Sequence, residues 1–353
     1  MRILTWHVHG SYLWYLSHVP HDLFVPTQPG APPGYAGRAG TLPWPANLHE
    51  VPAGEVAGLD VDVVVFQSVR NWTDDQYEIL SPAQRAGPRI YLEHDPPRDS
   101  PYDTSHPVTD PGVLVVHVTA FNRLMWDNGP VPTAVVGHGV VLPTPVTYSG
   151  EIRKGLVAVN HLAGRGRRLG ADVFAAVRER VPLDLVGMGS EELGGLGEIP
   201  PPGLGPFAAR YRFFFNPIRW TSLGLAVCEA MMAGVPIVGL ATTEMAAVIE
   251  DGVSGYVDTD VDRLIAGMES LLADRQLAAQ LGAGARRAAL ARFSIDRFVA
   301  DWNRVLAAVA SGQPRSAATV ATRSSMAPTT GDPGVVPLTT TENTARRPPA
   351  VVR

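Results

Sequence analysis

Three short stretches combine glycine with groups able to hold an anion or a diol. In "NHLAGRGRRLG", Asn160 to Gly170, the arginines Arg165, Arg167 and Arg168 stand among glycines directly after an apolar run. Guanidinium groups grip phosphate oxygens through charge-assisted bonds, each contributing about 1.5–3 kcal/mol when water is excluded. A solvated basic loop is the competing reading. In "LDLVGMG", Gly187 follows a strand-like run, a weak mark alone because glycine commonly punctuates strand ends. In "NPIRWTSLGLAVCEAMMAGVPIVG", Pro217 ends one element and Ser222 is placed to cap the next. Gly224 there leaves the main-chain N–H groups from Leu223 to Leu225 accessible, and a helix start of this kind favours an anion. Glu229 follows within the early turns, between Cys228 and Ala230. Its two acceptor oxygens suit paired ribose hydroxyls. A surface glutamate is the alternative, and its apolar flanks speak against that.

These residues need a frame that brings loops together, and the rest of the chain supplies one. Up to about residue 145, "RILTWHV", "DLFVP", "VDVVVFQS", "RIYLEH", "GVLVVHVT" and "TAVVGHGVV" read as strands, with "GSYLWYLSH" a short helix after Gly10. Several are unbroken β-branched runs, the pattern of parallel strands buried on both faces. Residues 26–52 are rich in glycine and proline and read as one long functional loop. After the proline-rich connection "LPTPVTYSGEIRKG", strands and helices alternate again, through "GLVAVNH", "LDLVGMG", "RFFFNP", "VPIVGL" and "SGYV". That order implies a second parallel sheet with right-handed crossovers. "SIDRFVADWNRVLAAVA" is the last amphipathic helix, with Ser294 placed as its N-cap. The expected organisation is an α/β protein: a Rossmann-like domain over 1–147, a second over 148–292, a helix over 293–311, and a disordered Ser/Thr/Pro/Ala-rich tail over 312–353.

Composition narrows the class. The chain has 353 residues, 45% of them hydrophobic, and a net charge of −5, which argues against non-specific nucleic-acid binding. Its one cysteine, Cys228, excludes an internal disulfide and a cysteine metal cage. No apolar run reaches the ~20 residues needed to cross a bilayer. No secretory signal is visible, so a cytoplasmic location is expected. His7 and His9, beside Gly10, are placed to line a cleft. No histidine–carboxylate group has ligand spacing on one element, so no metal site is expected. His117 sits mid-strand and reads as a core histidine.

The pattern resembles the retaining GT-B glycosyltransferases with two glutamates separated by seven residues, the large group 1 or family 4 type. "PIRWTSLGLAVCEAMMAGVPIVG" is similar to that signature at Pro217, Gly224, Leu225, Glu229, Ala230, Met231, Gly234 and Pro236, and "EDGVSGYVD", Glu250 to Asp258, resembles its downstream pattern. "NHLAGRGRRLGAD" looks like the family's diphosphate loop, with His161 at an arginine position and Arg167 or Arg168 near its lysine. "IYLEHDPP" resembles the segment holding the family's active-site histidine, here His94. The resemblance covers all but the tail. It implies two Rossmann-like domains facing across a cleft, with the last helix crossing back to the first domain. It further implies retaining, metal-independent transfer of a sugar from a UDP- or GDP-linked donor, with no bound cofactor. Arg165, Arg167, Arg168 and the amides at Leu223 to Leu225 would hold the diphosphate. Gly187 and Glu229 would face the nucleotide, and His94, Glu229 and Thr221 would form the catalytic set. Gly10 and His9 would face the acceptor, a carbohydrate, a lipid-linked or a small molecule. Peripheral membrane contact stays open, though no basic amphipathic face supports it.

Two departures stand out. Thr221 replaces the first signature glutamate, which the family places against the transferred sugar, and a hydroxyl lacks the charged pair of acceptor oxygens. "TTEMAAVIEDG" lacks the family's glycine pair and usual glutamate, with Glu244 as a partial substitute. A catalytically lapsed nucleotide-sugar binding module and a GT-B nucleotide-sugar epimerase therefore remain alternatives; an epimerase would need acid–base carboxylates in the cleft.

Overall fold

The computed structural model describes residues 1–8, 10–142 and 145–312. His9 and the tail beyond residue 312 lie outside the described residues. The first sheet contains β1 (Arg2–Thr5), β2 (Asp22–Thr27), β3 (Leu48–Pro52), β4 (Val63–Phe66), β5 (Arg89–Glu93), β6 (Val113–His117) and β7 (Thr133–Val135). Its order is β3-β2-β1-β4-β5-β6-β7, with every neighbour parallel. The second contains β8 (Ile152–Ala158), β9 (Leu183–Val186), β10 (Tyr211–Asn216), β11 (Ile237–Leu240) and β12 (Gly255–Asp258), in the parallel order β12-β11-β10-β8-β9.

Unbroken apolar runs give strands buried on both faces because successive side chains point to opposite sides. In β4, Val63 and Val65 enter one core while Val64 and Phe66 enter another. In β10, Phe214 joins the first of these cores and Phe213 and Phe215 a third. The alternation forces helices onto both faces of each sheet, the two-Rossmann arrangement expected from the sequence.

Two expectations need correction. Residues 26–52 are not one loop: β2 runs to Thr27 and β3 occupies Leu48–Pro52, so the connection is residues 28–47. β3 is an edge strand, a position in a sheet that readily tolerates a proline such as Pro52. "TAVVGHGVV" is strand only over Thr133–Val135.

The final helix, Ile295–Ala310, buries Phe298, Trp302, Val305, Leu306 and Val309, a stripe at helical spacing. Trp302 Nε1 donates to the Tyr12 hydroxyl at 3.2 Å, and Arg297 donates to the carbonyls of Gly137 and His138. The helix therefore returns to the first domain. Ser294 occupies its N-cap position in extended conformation, but its hydroxyl makes no capping bond.

Candidate functional site

Parallel strands deliver all their following loops to one end, and ligands collect where the strand order reverses. In the second sheet the reversal lies between β8 and β10. Their loops, 159–170 and 217–224, are the two that the sequence marks with arginines and the signature. The backbone N–H groups of Arg219 and Trp220 both donate to the carbonyl of Arg168 at 3.1 Å, which stitches the loops together. Gly170 makes this approach feasible. Its φ is +82°, and a Cβ there would overlap the Pro217 carbonyl. Gly170→Ala is expected to lower stability by about 2–4 kcal/mol, from a left-handed alanine and overpacking together. Urea unfolding at constant m-value checks this.

The three arginines are not equivalent. Arg167 is exposed and paired with Asp172 at 2.6 Å, and Arg219 takes the same carboxylate with two bonds at 2.5 and 2.9 Å. Arg219, foremost, holds Asp172 below the usual carboxylate range. Arg168 is half-buried and forms no ion pair among the described residues. Burial first, and then the Arg168 charge, lower the pKa of Arg165, with Asp95 opposing and Arg98 adding to the repulsion. Arg98 belongs to the first domain, where it pairs with Asp95. Arg98, Arg165 and Arg168 thus lie near enough for their charges to act on one another, with Asp95 as the opposing carboxylate, and Arg98 and Arg165 are exposed. Nothing in the sequence alone brings Arg98 to the other two.

Five residues after Trp220, which the Arg168 carbonyl holds, begins the helix Leu225–Met232. Gly224 is its extended N-cap, no side chain caps it, and open space surrounds the glycine. The cap assigned to Ser222 is therefore wrong: Ser222 lies buried three residues before the first helical residue. Leu223 is buried, and its carbonyl accepts from His138 Nε2 at 2.7 Å. Burial pushes the His138 pKa down to about 4, so this ring is neutral near pH 7. Trp220 reaches across with a 2.8 Å bond from Nε1 to the Pro97 carbonyl, while Thr221 beside it is half-buried.

Glu229 is buried in the same helix, and Tyr15 of the first domain donates to its Oε1 at 2.8 Å. Burial pushes the carboxyl pKa up to about 7, with the Tyr15 bond partly opposing. Tyr15 and Glu229 lie one helical turn beyond Ser11 and Leu225, which line the interdomain cavity. Neither Tyr15 nor Glu229 is among the residues that line the cavity. Glu229 is therefore not on an open surface, and its partner, 214 residues away, was invisible to sequence reasoning.

His94 follows β5. The Gln67 amide gives hydrogens to Thr5 Oγ1 (2.8 Å) and the Trp6 carbonyl (2.9 Å), so its oxygen accepts from His94 Nε2 at 3.2 Å. Tyr12 meets the His94 ring edge-on at 4.8 Å. His117 is a core residue, as read from the sequence: buried, bonded to Asn128 Oδ1 at 2.9 Å, and pushed by burial to about 3. Glu244, read from the sequence as a partial substitute for the family glutamate, has one oxygen engaged. It accepts from the Phe121 N–H at 3.0 Å, across to the first domain.

A cavity of about 940 Å³ lies between the domains. Its first-domain wall carries His7, Ser11, Arg70 and the 31–42 loop; Asn160, Met188, Pro201 and Leu225 stand opposite. Among the described residues, His7 and Leu225 are the two singled out from the sequence that line it. Gly187 lies one residue from Met188, at φ +127° against Val159 and Asn160. Gly10 opens the helix Gly10–Leu16 beside His7 and Ser11. His7, Ser11, Ser68 and Arg70 follow β1 and β4, the reversal point of the first sheet. The two reversal points thus face the same interdomain space.

Residues 156–274 match the model of the family described as Glycosyl transferases group 1. Among curated proteins none matches the sequence. Solved structures are similar across both sheets. Sucrose-phosphate synthase from Thermosynechococcus elongatus has a TM-score of 0.64 at 15% identity, covering 88% of this chain and 100% of that one. Anabaena Alr3699/HepE, in complex with UDP, has a TM-score of 0.62 at 14% identity, covering 87% and 99%. S. aureus TarM, in complex with fondaparinux, α-GlcNAc-glycerol and UDP, has a TM-score of 0.56 at 13% identity, covering 72% of this chain; the chain spans 58% of TarM. At these identities the likeness establishes the GT-B fold.

Proposed function

We propose that this chain, which matches the group 1 glycosyltransferase model over residues 156–274 and has the GT-B fold, moves a sugar from a nucleoside-diphosphate donor to a hydroxyl acceptor with retention at the anomeric carbon. The bond from that carbon to the diphosphate oxygen breaks, and its electron pair leaves with the diphosphate. The acceptor oxygen bonds to the same face while its proton passes to the leaving diphosphate oxygen. No metal or covalent nucleophile takes part.

The observation that carries this reading is the grouping of Arg98, Arg165 and Arg168 together with the uncapped helix start at Gly224. Positive charge held where the leaving group gains negative charge stabilises the transition state. Arg167 plays the lesser part because Asp172 already holds it. Glu229 Oε2 accepts from a ribose hydroxyl while Tyr15 retains Oε1. Thr221 contacts the transferred sugar through one hydroxyl, and His94 faces it from the first domain, fixed by Gln67. Asn160 and Gly187 flank the nucleotide.

A melting-temperature panel with UDP, GDP and ADP and their glucose conjugates tests this. At a hundred times its dissociation constant, the right nucleotide adds about 2.7 kcal/mol of stability. If none raises the melting temperature, the transferase reading fails. Binding without turnover of the donor would favour the lapsed binding module, for which the loss of the first signature glutamate at Thr221 is the specific support.

A further inference from the structure

The interdomain cavity contains an arginine that the donor site does not use. Arg70 Nε donates to Asp75 Oδ1 at 3.3 Å, and Asp75 is completely buried. Asn71 Nδ2 holds the other Asp75 oxygen at 2.8 Å, and Asn71 Oδ1 accepts from the Gln67 N–H at 3.2 Å. Gln67 is the residue that fixes His94. The guanidinium is thus anchored through its inner nitrogen by a buried carboxylate, and half its side chain remains exposed at the cavity wall. An arginine tethered in this way loses little freedom when its outer nitrogens bind an oxyanion bidentately.

The rest of the lining has a different character. Pro32, Pro33, Leu42, Met188 and Leu225 give the cavity apolar walls, and its one lining carboxylate among the described residues, Glu198, is exposed on the second-domain side. His7 Nδ1 lies 2.6 Å from the Gly37 carbonyl and must donate there, so in the neutral ring Nε2 is an acceptor. Thr41 donates to the Pro201 carbonyl at 3.3 Å, which ties the 28–47 connection to the second domain and encloses a space of small-molecule size.

We propose that the acceptor is a small hydroxylated compound with an apolar body and one anionic group, that the anion pairs with Arg70, and that a hydroxyl donates to His7. This rests on the transferase reading above and names the acceptor class for the same cleft.

The test uses the full chain saturated with whichever nucleotide raises its melting temperature, and two fluorescent probes, 6-hydroxy-2-naphthoate and 2-naphthol. The naphthoate is expected to bind at least tenfold more tightly, with that margin shrinking as salt is raised. In the double variant Arg70→Gln with Asp75→Asn, which leaves no buried carboxylate unpaired, the two probes should bind within twofold of each other. Arg70→Lys should retain part of the margin, and its melting temperature reports on folding independently. Equal binding of both probes to the unaltered protein, binding of neither, or a margin unchanged in the double variant overturns the proposal. Capture by phosphatidylglycerol vesicles that Arg70→Gln abolishes would assign the arginine to a membrane and overturn it too. The two readings fail separately. No nucleotide-induced melting shift removes the transferase reading, whereas a normal shift without probe discrimination removes only the acceptor assignment.

Discussion

Glu229→Gln is expected to make the protein more stable above pH 7 and its nucleotide binding weaker. The buried carboxyl has its pKa raised from 4.5 to about 7. The folded chain therefore keeps a proton that the unfolded chain releases from about pH 4.5 upward. Stability falls as pH rises between those values, and the full loss, about 3 kcal/mol, is present above pH 7. Glutamine does not titrate and its carbonyl can still accept from Tyr15, so the slope should vanish and the variant should gain about that amount at pH 8. Donor binding should move the other way. A ribose hydroxyl bonded to a carboxylate is worth about 1.5–3 kcal/mol, and replacing it with a neutral amide should weaken the nucleotide by roughly tenfold or more. Unaltered protein should bind nucleotide more tightly as pH rises through 7, while it becomes less stable. Urea titrations and calorimetric nucleotide titrations at pH 5 and pH 8 check both halves. A Glu229→Gln protein with the original affinity would remove this residue from the nucleotide site.

The second large effect separates neighbouring arginines. Arg168→Ala is expected to lower kcat by about 10²–10³-fold, the scale on which losing one preorganised group facing a developing charge is felt. Arg167→Ala should stay within about threefold, because exposed ion pairs contribute at most ~1 kcal/mol and Arg219 continues to hold Asp172. Single-turnover rates with the preferred donor distinguish the two. Equal losses would mean that both side chains leave their present positions when the donor enters.

From sequence, the three arginines had equal standing. Their ranking comes from Asp172 and Arg219, which lie outside the glycine-rich loop and act only through tertiary approach. The frame was more legible. "VVVF" and "RFFFN" carry the two-faced apolar pattern of buried parallel strands, and the helix from Leu225 follows a recognisable signature. β3 escaped notice because "LHEVP" puts His49 and Glu50 in mid-strand and ends on proline, a composition that suits an edge strand. Ser222 looked like a cap because serine is a favoured cap residue; the chain instead stays extended to Gly224, with Leu223 bound to His138. Tyr15 sits in an aromatic-rich helix that reads as core, and no local pattern announces a carboxylate partner in the other domain. The sequence pointed to the second-domain half of the site and, in the first domain, to His94, Gly10, His7 and His9. Arg98, His138, Tyr15 and Arg70 complete it from the first.

The returning helix also sets an order in time. Phe298 and Trp302 complete the core that Tyr12 and Val136 begin, so the first domain's sheet leaves the ribosome without its cover. About 160 residues separate Val136 from that cover, roughly ten to thirty seconds of synthesis. During that interval the second domain is synthesised while the first domain's core lacks Phe298 and Trp302. The first domain is thus the last to be completed, and this interval is when chaperone capture or aggregation would compete with folding.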